Sequence, residues 1–280
     1  MEKQLKNIVK NIKGFVFGLL FGSTSPIPGV SAGTLAVFLN IYEGVFNSIS
    51  IAGIRKNWLV SCFFAIGCAI GLLGGVKIIA FLHSRYEQIV IFCLIGLMLG
   101  CLPVIFKKAK VTKFKLSNLL IFLFSLAFMI SLALISGENA NGAPEQFGTL
   151  TPGLAAWLFV AGSISGMAML IPGVGGSLMM IVFGIYGIYL EAININTFNF
   201  TISSVLLVSM FIGIFSGAKL IQKLLESYSQ SLYSSILGLI IGSVFFIFPG
   251  FSENVTEGVL SIVFALLFGF LAYKLSKQKI

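Results

Sequence analysis

Aspartate is absent from this chain: every acidic residue is Glu. Histidine occurs once, at His83, and arginine only at Arg55 and Arg85. That inventory excludes metal centres and phosphatase sites assembled from His and Asp, whose ligands and proton carriers are missing. Charge of either sign is scarce. Only 10% of the 280 residues are charged and 58% are hydrophobic, whereas a soluble domain is about 25% charged and about 45–50% apolar. Too little polar surface remains to cover a water-facing globule. Cys62, Cys68, Cys93 and Cys101 sit inside apolar runs, form no Cys-x-x-Cys and read as small buried apolar residues.

What the chain has instead is a series of apolar runs of about 20 residues, each long enough to span a hydrocarbon core of roughly 30 Å as a helix. The runs are continuously apolar rather than alternating, which argues against a β-barrel. The net charge of +9 therefore points to the membrane surface rather than nucleic acid, and lysine positions report orientation. Residues 1–13 are basic, but the apolar stretch after them has no small-residue cleavage site, so a cleavable signal peptide is not expected.

Self-similarity is the most informative feature. PGVSAGTLAVFLNIYE at 28–43 is echoed by PGVGGSLMMIVFGIYG at 172–187. Pro28, Gly29, Val30, Ile41 and Tyr42 recur as Pro172, Gly173, Val174, Ile185 and Tyr186. Further on, Gly75, Lys77, Ile79, Leu82 and Tyr86 recur as Gly217, Lys219, Ile221, Leu224 and Tyr228, and Gly96, Leu97, Gly100 and Ile105 as Gly238, Leu239, Gly242 and Ile247. Each half opens with a long apolar region, 14–54 and 150–193, of about 40 residues. A straight helix of that length would reach about 60 Å, twice the core. It must break at Pro26-Ile27-Pro28-Gly29 and at Pro172-Gly173, where Pro removes a donor and Gly permits unusual dihedrals.

Lysine placement favours hairpins that return to the face they left. Lys3, Lys6, Lys10 and Lys13 precede the first hairpin, and Arg55 and Lys56 follow it. Helix 58–82 then exits, 88–106 returns to the Lys107–Lys115 loop, and 116–136 exits to an acidic loop. The second hairpin, 150–193, dips from outside. Helix 201–222 enters, 232–250 exits, and 258–274 ends at Lys274, Lys277 and Lys279. All basic residues except Lys77 and Arg85 then face the cytoplasm. The expected fold is an all-α polytopic membrane protein of two inverted-topology repeats. Residues 1–136 and 150–280 each contribute a re-entrant helical hairpin and three transmembrane helices. Both termini are cytoplasmic, and Gly-rich helix faces allow close packing. Transporters built this way place their site between the repeats near the midplane.

The hairpin tips are the leading site candidates. Gly29, Ser31, Gly33 and Thr34 stand at the first, and Gly173, Gly175, Gly176 and Ser177 at the second. Unpaired amides at such tips attract an anion, small residues let it approach, and the hydroxyls add donors. The competing reading is a tightly packed turn. Lys77 and Lys219, repeat-equivalent charges inside apolar runs, are candidate phosphate receivers, against snorkelling to the surface. Glu43 either carries a proton or pairs with Arg55, against an interfacial carboxylate. His83 and Arg85 read as outer-loop residues, and Tyr42, Tyr186, Trp58 and Trp157 as packing or interfacial aromatics. No metal or cofactor is expected.

The paired motifs PIPGVSAGTLAVFLNIYE and LIPGVGGSLMMIVFGIYG resemble those of the bacterial polyprenyl-phosphate (undecaprenyl-phosphate) translocases, over nearly the whole chain. The resemblance implies return of the undecaprenyl phosphate carrier across the bacterial cytoplasmic membrane for reuse in peptidoglycan and other envelope polymers. Its implied partners are the lipid and the bilayer, with a homo-oligomer admissible and no nucleic acid. Where that family usually has an acid before the first motif, this chain has Ser23-Thr24-Ser25. Where it often has one after the second Tyr, this chain has Gly187. No acidic coupling residue carries over to either place. Two alternatives compete. An undecaprenyl-pyrophosphate phosphatase-like enzyme would usually have Arg after the tip Ser, where Ala32 stands. A small-solute transporter would need a polar path.

Overall fold

A computed structural model describes residues 2–24, 31–38, 58–109, 115–139, 150–193, 199–250 and 254–277. The described elements are all helical: α1 (Glu2–Thr24), α2 (Ala32–Phe38), α3 (Trp58–Ala109), α4 (Leu116–Asn139), α5 (Pro152–Ala168), α6 (Gly176–Val182), α7 (Tyr186–Ile193), α8 (Phe200–Ile247) and α9 (Val255–Lys277). Four stretches among them are long and apolar enough to cross a membrane: Arg85–Ala109, Leu116–Ile135, Phe200–Ile247 and Val255–Lys277. Trp58–Leu72 and Pro152–Ala168 are shorter apolar helices. The chain is thus a polytopic all-helical membrane protein. Its outer faces carry Phe124, Leu134, Phe211, Phe245, Leu266 and Phe270 exposed, which suits contact with lipid tails rather than water.

Both long helices are broken, and at matching residues. Tyr86 (φ −142°, ψ 45°) interrupts α3 and Tyr228 (φ −138°, ψ 40°) interrupts α8. Unbroken, the 52 residues of α3 would reach about 78 Å, more than twice the hydrocarbon thickness of roughly 30 Å.

Contacts between small residues fix how the arms run. Gly14 abuts Val60, and Gly22 abuts the Cys68 backbone. Helix α1 therefore lies parallel to the first arm of α3, with Gly14, midway along α1, level with residue 60. Gly162 against Ser209 and Gly213 against Ser163 set α5 beside the first arm of α8. The second arms take partners from the other end of the chain. Gly96 meets Ala265 and Gly100 meets Gly269, which places α9 parallel to the second arm of α3. Gly238 meets Phe122, Gly242 meets Met129, and Ser125 and Ser235 hydroxyls lie 2.8 Å apart, which does the same for α4 and α8. With no hydrophobic force between helices in lipid, close backbone approach is what holds such pairs.

The two second arms run in opposite senses. Lys108, at the end of α3, lies 5.6 Å over the Tyr233 ring, near the start of the second arm of α8. At the other end the Phe92 and Phe248 rings meet at a tilt with centroids 5.9 Å apart, and Gln88 donates to Gly250 O at 3.4 Å. The largest buried cluster lies between them. It joins Met98, Cys101 and Ile105 of α3 to Tyr233, Ile236 and Ile240 of α8, and includes Ala36 and Val37 of α2 and Leu170.

Candidate functional site

Two segments more than a hundred residues apart meet on that cluster. Helix α5 starts with Thr151 capping Leu154 N–H at 3.2 Å and Pro at its first turn, and it ends at Ala168. Pro172 supplies no backbone donor, so the chain turns through Leu170 to Gly173 before α6 begins. Gly173 adopts φ +87° with its Cα against the Leu239–Ile240 backbone; a left-handed φ there favours glycine. Gly175 caps α6 in extended conformation, and Gly176 packs against Ser165 O and the Met169 side chain.

The first tip enters the second tip's turn. Ser31 Oγ accepts the Thr34 N–H at 3.1 Å, an N-cap bond that starts α2. The same Ser31 hydroxyl donates to Ile171 O at 2.9 Å. Gly33 N–H donates to Met169 O at 3.1 Å, and Gly173 N–H donates to Thr34 Oγ1 at 3.0 Å. Ser31 Oγ and Thr34 Oγ1 lie 3.0 Å apart, and Ser31 N–H reaches Thr34 Oγ1 at 3.4 Å. Ser31, Gly33, Thr34 and Gly173 are all buried. A Cβ on Gly33 would overlap the Leu170 carbonyl oxygen and fall 2.6 Å from its carbon. The junction is neutral and made of hydroxyls, amides and carbonyls. Buried polar groups need internal partners, and here Ser31 O–H, Gly33 N–H and Gly173 N–H find theirs across the junction.

The structure therefore brings Ser31, Gly33, Thr34 and Gly173 into one network. Gly175, Gly176 and Ser177 lie buried just behind it, at the start of α6. The remaining candidates stand elsewhere. Lys219 is exposed on α8 between buried Ala218 and Ile221, outside the buried network. Lys77 falls in α3, with its side chain outside the described set. Gly29, Glu43, Tyr42 and Arg55 lie outside the described residues. Trp157 donates to Phe183 O at 3.3 Å and packs edge-on to its ring, tying α5 to the end of α6. Among the described residues no cluster of three His, Cys, Asp or Glu forms a metal site.

Sequence reasoning missed the acceptors, the carbonyls of Met169 and Ile171. It also missed Ser165, whose hydroxyl is fully buried with no hydrogen-bond partner one turn before the break. The one signal for Ser165 is its place on α5 just ahead of Pro172.

The model of the family described as VCA0040-like, undecaprenyl phosphate translocase-like, matches residues 27–119 and 107–261. The chain is 31% identical to the polyprenyl-phosphate transporter of Staphylococcus aureus (strain NCTC 8325 / PS 47), over 91% of this chain and 92% of the relative. It is 25% identical to the polyprenyl-phosphate transporter of Vibrio cholerae serotype O1, over 84% of this chain and 77% of the relative. No solved structure matches.

Proposed function

The chain belongs to the undecaprenyl phosphate translocase-like family, and we propose that it carries undecaprenyl phosphate between the leaflets of the cytoplasmic membrane. The carrier would return to the inner leaflet for reuse in peptidoglycan and other envelope polymers. Its role is translocation of a lipid carrier by a multi-pass membrane protein.

The observation that carries the mechanism is the junction of two glycine- and hydroxyl-rich tips, from the two halves of the chain, on the largest buried cluster. Two inverted repeats are supported by the matching breaks at Tyr86 and Tyr228 and by the opposite senses of the two second arms. Same-face return of the first hairpin is supported by Gly14 lying against Val60. The termini are then cytoplasmic, with Lys107, Lys108, Lys274 and Lys277 at one face.

In this reading the phosphate is held by Gly29, Ser31, Gly33 and Thr34 of one tip and by Gly173, Gly175, Gly176 and Ser177 of the other. An anion bare in hydrocarbon is prohibitively costly, on the order of tens of kcal/mol. Each donor aimed at a charged oxygen returns roughly 1.5–3 kcal/mol, so several converging donors turn a barrier into a passage. Lys77 and Lys219, toward opposite faces, receive the head group from either side, and Glu43 with Arg55 forms an ion pair or coupling site. The prenyl tail stays in lipid. Transport rather than phosphate cleavage is favoured by a tip junction without charged side chains, since cleavage of a pyrophosphate needs charge stabilisation and a base.

Purified protein in liposomes should speed leaflet exchange of undecaprenyl phosphate above protein-free vesicles and release no inorganic phosphate from undecaprenyl pyrophosphate. Exchange no faster than in empty vesicles, or phosphate release, would overturn the assignment.

A further inference from the structure

Resting on that transport reading, we propose that the hydrogen bonds joining the tips are a latch that the lipid's own phosphate undoes, so that head-group binding and parting of the tips are one event. The hydrogens in the junction can be assigned one by one. Ser31 O–H is given to Ile171 O, Gly33 N–H to Met169 O, and Gly173 N–H to Thr34 Oγ1. Because the Ser31 hydrogen is committed, the 3.0 Å contact between the two hydroxyls requires Thr34 to donate to Ser31. No hydroxyl hydrogen of Ser31 or Thr34 is left over for a ligand. Three of these donors are spent on holding the two tips together, and the Thr34 hydroxyl is spent within the first tip.

Space enforces the same exclusion. A single methyl on Gly33 would collide with the Leu170 carbonyl, and one on Gly173 would fall 2.7 Å from the Leu239 carbonyl carbon. A phosphate is far larger than a methyl, so it reaches the Gly33 amide, which abuts the other tip, only after the tips separate. The exchange runs in favour of the anion, because a bond to a charged oxygen is about twice as strong as one to a neutral carbonyl. The junction is therefore a two-state element that one ligand biases through differential contacts. Two consequences follow. The empty carrier keeps its route shut without a bound ion, and a prenyl alcohol, lacking the phosphate, leaves it shut.

Spin labels at Leu20→Cys on α1 and Ile164→Cys on α5, both exposed and each about one turn before its tip, report the separation by pulsed electron paramagnetic resonance. Cys62, Cys68, Cys93 and Cys101 are replaced by Ala beforehand. The empty protein should give one short distance. Farnesyl phosphate should add a longer one, and farnesol should not. Thr34→Val, which removes the acceptor for Gly173 N–H, should lower the closed-to-open ratio about tenfold or more without ligand, and Thr34→Ser should restore it. Should Thr34→Val not fold, Ser31→Ala gives the same reading through Ile171. Distances unchanged in these variants overturn the latch. Distances that lengthen in the variants but ignore farnesyl phosphate overturn the exchange. Failure of the transport reading appears separately, as absent leaflet exchange by the unaltered protein.

Discussion

Gly33→Ala perturbs the junction with a single methyl group. The added carbon overlaps Leu170 O and lies 2.6 Å from Leu170 C and 3.0 Å from Pro172 N. All three are backbone atoms, so no side chain swings aside. Overpacking of this kind costs about 1–3 kcal/mol. Pushing the tips apart also strains the Gly33 to Met169 bond, and a buried donor left unpaired costs about 1–3 kcal/mol. Against this, Ala improves α2 by up to about 1 kcal/mol. The net is a loss near 3 kcal/mol, about two decades in the equilibrium at roughly 1.4 kcal/mol per decade. Gly74→Ala is the control, since a Cβ there meets nothing within 4 Å and the same helical gain applies. Thermal unfolding in detergent, followed by Trp58 and Trp157 fluorescence, should show Gly33→Ala well below the unaltered protein and Gly74→Ala at or above it. Equal midpoints for the two variants would refute the close approach of the tips.

The hydroxyls at the junction should behave as a coupled pair. Ser31→Ala and Thr34→Val should each destabilise by about 1–3 kcal/mol, and the double variant by less than the sum, because they share one bond network; strict additivity in denaturation would contradict the network. Gly238→Leu should abolish recovery of folded protein in size-exclusion chromatography, since a side chain there runs into the Phe122 carbonyl and lies against Leu126 N at 3.0 Å. Normal recovery would mean that α4 does not pair with the second arm of α8. Leaflet exchange should fall in Ser31→Ala/Thr34→Val while expression holds; unchanged exchange would leave the tips a purely structural role.

Much of the architecture follows from local chemistry that a reader of residues can apply. The break after Ala168 is legible because Pro172 cannot donate and Gly173 tolerates a left-handed turn. The long helices are legible as apolar runs, and Ser31 as a cap is legible from its place before a small-residue helix. The breaks within α3 and α8 are less so. Tyr86 and Tyr228 match in the repeat, but tyrosine has no intrinsic preference for φ near −140° and ψ near 40°, so the residue type does not announce the break. Partner choice was not legible at all. Gly96 and Gly238 announce close approach, yet nothing local says that Gly96 meets α9 while Gly238 meets α4. The junction failed to appear for the same reason. Ser31 and Thr34 look like free donors in isolation, and their partners, Ile171 O and Gly173 N–H, lie in the other half of the chain.

Insertion of the two tips from opposite membrane faces is tested most directly by labelling single cysteines with a membrane-impermeant maleimide in intact cells. Cysteines at Lys13 and Asn57 should stay unlabelled until the membrane is opened, and cysteines at Thr151 and Asn199 should label from outside. Residues 13 and 57 reporting opposite faces would contradict the account.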